Sequence, residues 1–276
     1  MAMMEITINR EDFENALPVG TSSHDEVFEM IEPAIKERIL IAESDILGTE
    51  GETILQNSNV ALEFFKKYVC IAGLLSVFRQ LDLTLTSTGF GIINTDTISP
   101  ASKQRVDALE GALRTQLLRC RAMLLNMLRT AEWGATAQAK QQLQYLYTDY
   151  HYFFGKGDYP SSYEDWNKFK DTIAAADEQL RVHISDEQMD ELLDAYRCND
   201  NERLQKYNAV IHQIRRYTDA MALGVKNAQV SYRKIILILD KDAETFDKYH
   251  HSDAYTLNHH ENFKNTKESS AFLFNG

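Results

Sequence analysis

The sequence has few of the residues that interrupt helices. Only 4 proline and 12 glycine residues occur among 276 positions, and Leu, Ala, Glu, Gln, Lys and Arg fill long stretches. Proline and glycine are the residues least compatible with a helix interior, so their scarcity favours a mainly α fold. With 44% hydrophobic and 25% charged residues, the composition is that of a folded globular protein.

Cysteine is also scarce, and its positions exclude two classes of small scaffold. The three cysteines, Cys70, Cys120 and Cys198, are far apart and form no CxxC pair. An odd number at such spacing indicates neither a disulfide framework nor a zinc site. We therefore expect a protein that folds in a reducing compartment.

The chain lacks long apolar runs and an excess of positive charge. No run approaches the roughly 18 apolar residues that span a bilayer, and Glu5 lies where a signal peptide would be basic or apolar. We expect a soluble protein with no membrane partner. The 29 basic residues against 41 acidic ones give a formal charge of −12. Such a charge disfavours tight binding to nucleic acid, although it also serves solubility alone.

Helical periodicity covers most of the first half. One helix is predicted over 24–47, kinked or started late by Pro33 and ended by Gly48. A second follows Asn59 and is apolar on most sides, which places it in a core or against another subunit. A third begins at Ser99 and Pro100 and carries a heptad-like stripe. The stripe consists of Val106, Leu109, Leu113, Leu117, Cys120, Leu124 and Leu128.

Later segments predict further helices, and a loop divides the chain. A Tyr- and Phe-rich helix is predicted over 136–154, and the loop at 155–165 is the preferred domain boundary. Beyond it, a capping box at 185–188 starts a helix, and a strand is possible at 234–239. The predicted domains are 1–155 with a β-hairpin insert at 82–93, a second helical region at 160–265, and a flexible tail at 266–276.

The segment 83–106 departs from this helical pattern. Leu83, Thr84, Leu85 and Thr86 alternate with period two, and a turn follows before Phe90. The simplest interpretation is a hairpin with strands near 82–86 and 90–93. Because an isolated two-stranded hairpin is marginal in water, it needs its own helices or a neighbouring chain to pack against.

Sequence motifs give no support to catalysis. Gly89 and Gly91 resemble the start of a phosphate loop, but Asn94 occupies the third glycine position. His250, His251, His259 and His260 lie near Asp253 and Glu261 at spacings that match no standard metal pattern. Surface histidines are one interpretation, and a metal or pH-sensing site is the other. We expect no enzyme, no catalytic residue, no cofactor and no metal.

The last residues are apolar. Phe272, Leu273 and Phe274 follow a polar run. Burying each such side chain is worth roughly 1.5–3 kcal/mol, so something should cover them. They either pack on their own fold or insert into a partner's groove.

Two segments in the first half of the chain resemble a known family. "FEMIEPAIKERILIAESDILG", an apolar helix and then "LTLTSTGFGIINTDTISPASKQRVDAL" are similar to head–tail connector (adaptor) proteins from tailed phages and prophages of Bacteroidetes, including crAss-like phages. The similarity spans about residues 4–130, and its most specific parts are 86–92 and 100–106. It thins in the second half, where 160–276 is expected to be an additional domain or an elaboration facing outward.

The resemblance implies a fold and a function. Such connectors are helical bundles with an inserted β-hairpin or extended arm, and they assemble as a ring beneath the portal. It implies a structural virion protein of the neck, present in the host cytoplasm before assembly, with portal and tail or neck proteins as partners. DNA would pass through the homo-oligomeric ring without sequence-specific binding. The expected interface residues are Leu83, Leu85, Gly89, Phe90, Gly91, Ile92, Phe272, Leu273 and Phe274.

Two other functions remain open from the residues. One is a cytoplasmic helical module that binds peptides or helices of other proteins. The other is a metal-dependent hydrolase that uses the histidine and acidic residues near 250–261.

Overall fold

A computed structural model describes residues 6–17, 25–81, 83–86, 89–92, 102–147, 163–222, 224 and 228–259. This part of the chain is mainly α-helical, as the composition predicted. The first seven helices are α1 (Arg10–Ala16), α2 (Asp25–Ala42), α3 (Gly48–Asn57), α4 (Asn59–Val77), α5 (Lys103–Leu128), α6 (Ala131–Gly134) and α7 (Ala137–Gln142). They are followed by α8 (Tyr163–Ile184), α9 (Asp186–Arg197), α10 (Asn201–Ala222), α11 (Ala228–Lys241), α12 (Asp247–His250) and α13 (Asp253–Asn258).

Shorter elements connect these helices. A π-helical turn, Glu43–Leu47, follows α2, and a 3₁₀ turn, Phe78–Gln80, follows α4. Between α4 and α5 lie two strands, β1 (Leu83–Thr86) and β2 (Gly89–Ile92), which pair antiparallel.

Helix α4 is the centre of the first half. It packs against α1, α2 and α5, and its Phe65, Val69 and Ile71 are fully buried. This confirms the expectation that a helix apolar on most sides lies in a core. Leu113, Leu124 and Leu128 of the predicted α5 stripe are also fully buried, so the stripe faces this core.

Helix α10 has the same role in the second half, where it packs against α8, α9 and α11. The possible strand at 234–239 is wrong, because these residues belong to helix α11. Ser231, Ile235 and Leu239 are the buried residues of α11. They recur every four residues, which is the spacing of one helix face rather than of a strand. Residues 235–239 are all Ile or Leu, so the four-residue spacing of the buried positions could not be recognised in the sequence.

Close backbone contacts join the two halves. A Cβ atom on Gly134 of α6 would lie 2.6 Å from the carbonyl carbon of Arg197 and from the nitrogen of Cys198. The Arg129 guanidinium donates to the Tyr196 carbonyl oxygen at 2.6 Å and stacks 3.7 Å from the centre of the Tyr196 ring. One cluster of buried residues runs from Ile6 to Tyr249. The division into domains at 155–160 stays a prediction.

The predicted first helix ends in an unusual turn. Pro33 lies inside α2, and Gly48 ends the segment with φ 57°. Only glycine adopts such a φ at no steric cost. Three successive carbonyls of the π turn accept side-chain hydrogen bonds from the segment that follows α5. Gln138 donates to the Ser44 oxygen, Gln142 to that of Asp45 and Trp133 to that of Ile46, at 3.2, 3.0 and 2.9 Å.

Several helix boundaries differ from the predictions. The helix predicted over 136–154 ends at Gln142, and 148–154 lie outside the described residues. Helix α5 begins at Lys103 after Ser102, whereas Ser99 and Pro100 are not among the described residues.

The capping box predicted at 185–188 is half formed. The Ser185 hydroxyl accepts from the Gln188 backbone N–H at 3.2 Å. The Gln188 side chain does not return the bond and accepts instead from the Tyr249 N–H at 3.2 Å. It therefore fixes the position of α12 relative to α9.

Candidate subunit interface

The two strands form a short ribbon that lies, in the sequence, between two antiparallel helices. Helices α4 and α5 run antiparallel, because Arg79, just after α4, forms an ion pair with Asp107 near the start of α5, at 2.7 Å. Farther along, Lys67 of α4 lies near Cys120 of α5. In the sequence, the ribbon lies between the end of α4 and the start of α5, which meet at this end of the pair.

The register divides the ribbon into two unlike faces. Leu83 pairs with Ile92, Thr84 with Gly91, Leu85 with Phe90 and Thr86 with Gly89. Directly paired residues share a face of a sheet, and successive residues alternate between faces. One face therefore holds Leu83, Leu85, Phe90 and Ile92, which we call the apolar ribbon face. The other holds Thr84, Thr86, Gly89 and Gly91.

The outer edges of the ribbon have no further strand. Within the described ranges, the sheet has two strands, so each strand pairs along one edge only. The strands have their main contacts with each other. An open edge presents unpaired backbone N–H and C=O groups, which another chain can use for strand pairing.

A cluster of charges joins the two helix ends that flank the ribbon in the sequence. Arg79 binds both Asp107 and Glu110, and Arg114 binds Glu110 at 2.8 Å. The pKa of Glu110 is lowered, chiefly by the hydrogen bond from Arg114 and further by that from Arg79. Four charged side chains thus tie the end of α4 to the first turns of α5.

Six of the nine predicted interface residues lie in this ribbon. The structure brings Leu83, Leu85, Phe90 and Ile92 together on one face, and it places Gly89 and Gly91 on the opposite one. The other three predicted residues, Phe272, Leu273 and Phe274, lie outside the described residues.

The sequence patterns did not predict an exposed apolar surface on α2. Met30 and Leu40 of α2 are 58% and 62% exposed, and Ile41 is 39% exposed. Pro33 is exposed as well. At about 100° per residue these four positions fall on one side of the helix, which we call the α2 outer face. The signal in the sequence was an excess of apolar residues beyond the buried Ile31, Ile35 and Ile39.

The histidines near the end of α12 and α13 have separate local partners. His250 Nε2 lies 2.9 Å from the Leu239 carbonyl oxygen, and His251 pairs with Asp247 at 2.9 Å. His259 Nε2 lies 3.2 Å from Asp240 Oδ1. Among the residues that the structure describes, no group of three or more His, Cys, Asp or Glu side chains could hold a metal ion. His260 and Glu261 are outside them.

Comparison with known proteins adds a partial family match. Residues 20–142 match the model of a family of unknown function, DUF6712. The matched range runs from the start of α2 to the end of α7 and includes the ribbon. No curated protein and no solved structure matches the chain. None of the helices in the described part is long and apolar enough to cross a membrane.

Proposed function

We propose that this chain is a structural subunit of a phage neck, a head–tail connector whose copies form a ring beneath the portal. The sequence similarity of residues 4–130 to connector proteins supports this proposal. The ribbon supports it independently, since the open edges of a two-stranded sheet offer a neighbouring subunit backbone groups to pair with.

The apolar ribbon face is the observation that carries the proposal. Its four large apolar residues belong to a two-stranded sheet with open edges. Such a sheet is marginal in isolation. Packing against another subunit would bury this face and would give the edges backbone partners.

The α2 outer face gives the neighbour a second, different surface. A head-to-tail ring joins two unlike patches on each subunit and closes without leaving either patch exposed. The ribbon and the α2 outer face are two such patches. In this proposal the ribbon of one subunit packs on the α2 outer face of the next.

The charge of the chain suits a DNA channel. With a formal charge of −12, the ring would repel the phosphate backbone and let DNA pass without binding it. The subunit would reside in the host cytoplasm before assembly and bind the portal, then neck or tail proteins. No catalytic step is required of it.

Paired substitutions on the two ribbon faces test the proposal. Leu85→Asp with Phe90→Asp adds two charges to the apolar ribbon face, and Thr84→Asp with Thr86→Asp adds the same two charges to the opposite face. We expect only the first pair to abolish ring formation on the portal of the same phage. The particle mass, measured by light scattering on the full-length chain with and without that portal, reports the result.

Both double variants should keep the wild-type far-ultraviolet circular dichroism, because the four substitutions lie in the two strands and in none of the helices. Rings that form equally well with both variants would reject the role of the apolar ribbon face.

A helical interaction module is the second candidate, and the α2 outer face favours it. In that case the chain binds an amphipathic helix of another protein in a complex of one-to-one stoichiometry. The same mass measurement separates the two functions, because the connector gives a closed ring on the portal and the module does not.

A further inference from the structure

A cavity of about 360 Å³ lies between α2, α4, α5 and the π-helical turn. Apolar side chains, among them Ile41, Leu75 and Leu117, form much of its wall. Its volume and mixed lining are those of a small-molecule site, where apolar walls surround a few polar groups. The π turn beside it contributes Asp45 and Ile46, and π turns inside helices occur frequently at functional sites.

Arg38 of α2 lines this cavity with an unused donor. Its Nε is shielded from solvent, and among the described residues it has no hydrogen-bond acceptor. Arginine presents its N–H groups as a planar fork that matches the two oxygens of a carboxylate. A buried donor without an acceptor is costly. A ligand that accepts a hydrogen bond from Arg38 would remove that cost.

Tyr68 of α4 gives the cavity a second donor. Burial raises the pKa of its hydroxyl, while Arg121 and Arg38 act in the opposite direction and Asp45 acts with burial. The phenol therefore keeps its proton at neutral pH and can donate it in a hydrogen bond. Arg38 and Tyr68 both line this cavity.

The remaining charges of the wall favour a ligand with one negative charge. Arg114 is already paired with Glu110 at 2.8 Å. Asp45 carries a negative charge on the π turn. Of the two arginines in the wall, Arg38 has no carboxylate partner among the described residues. Asp45 would repel a dianion such as phosphate.

We propose that this cavity binds a small organic carboxylate, with the carboxylate between Arg38 and Tyr68 and an apolar body against Ile41, Leu75 and Leu117. The cavity shares only Ile41 with the α2 outer face, so its carboxylate site can be tested on the isolated chain, without ring formation.

Binding of 4-fluorobenzoate to the full-length chain, followed by ¹⁹F nuclear magnetic resonance, tests this proposal. The neutral probe 4-fluorobenzamide has the same ring without the charge. We expect the carboxylate to bind the wild-type chain and the amide to bind at least about tenfold more weakly. Arg38→Gln should raise the Kd of the carboxylate about tenfold or more, because it removes the guanidinium.

Matched variants separate a lost contact from a general effect. Arg233→Gln makes the same change in net charge at an exposed position on α11 and should leave the Kd unchanged. Tyr68→Phe keeps the ring and removes only the hydroxyl, so it should weaken binding without disturbing the core. This variant tests the site even if Arg38→Gln does not fold. Absence of 4-fluorobenzoate binding to the wild type would overturn the proposal. Equal binding of the two probes would also overturn it, as would an unchanged Kd in both Arg38→Gln and Tyr68→Phe.

Discussion

At the scale of single residues, Gly134 shows how closely the two halves approach. A Cβ atom at this position would lie 2.6 Å from the backbone of Arg197. Backbone atoms cannot move aside as the end of a flexible side chain can. The approach of α6 to the end of α9 therefore requires a residue without a side chain.

Gly134→Ala should lower the free energy of unfolding by about 1–3 kcal/mol, the usual cost of overpacking a closely packed site. Urea denaturation of the full-length chain measures this change. The reason is steric, since the added methyl group must push α6 away from the Arg197 carbonyl.

Gly111→Ala is the matched control. Gly111 lies inside α5, and a Cβ atom there would have no neighbour within 4 Å. Alanine is favoured over glycine in a helix interior by about 0.5–1 kcal/mol, so this variant should be more stable than the wild type. Equal destabilisation by both substitutions would refute the argument from close approach.

At the scale of elements, a charge cluster joins the end of α4 to the start of α5. Glu110 accepts from Arg114 and is bound by Arg79. Since these bonds favour the charged carboxylate, its pKa falls below the ordinary value of 4.5. A group whose folded-state pKa is lowered stabilises the fold above its unfolded pKa. That contribution is lost as the pH falls through the folded value.

Glu110→Gln should therefore reduce stability at pH 7, and the effect should shrink as the pH falls through the lowered folded-state pKa, where the wild-type carboxyl also becomes neutral. Urea denaturation at pH 7 and at pH 3 measures the difference between wild type and variant. Glu178→Gln, at an exposed position of α8, is the matched control. A Glu110→Gln effect that is equally large at pH 3 would contradict the assignment.

Local patterns predicted some elements well and others poorly. The burial of α4 followed from its apolar residues on most sides, and the stop at Gly48 followed from glycine's freedom at positive φ. The helical state of 234–239 could not be predicted, because consecutive Ile and Leu residues fit both the helix period and the strand period. In the folded chain this segment is a helix that packs on α10.

The candidate interface was only partly predictable for a similar reason. Alternation alone put Leu83 and Leu85 on one face of a strand, but the register was needed to add Phe90 and Ile92. For α2, the sequence showed apolar residues on two sides and gave no means of telling which side is buried. Only the packing of Ile31 and Ile35 against the core leaves Met30 and Leu40 outside.

At the scale of the whole molecule, the α2 outer face lies outside the larger buried cluster of the described residues. The buried cluster includes residues of both halves. The α2 outer face is therefore an addition to a fold that has its own core. In our proposal, the ribbon of a neighbouring copy in a ring covers it.

Hydrogen exchange of the ribbon amides tests this central claim most directly. The backbone N–H groups of residues 83–92 should exchange rapidly in the isolated full-length chain, since the ribbon edges are open. In a ring assembled on the portal they should become protected, together with the segment around Met30 and Leu40. Rapid exchange of the ribbon in the assembled particle would contradict the claim that a neighbouring subunit completes it.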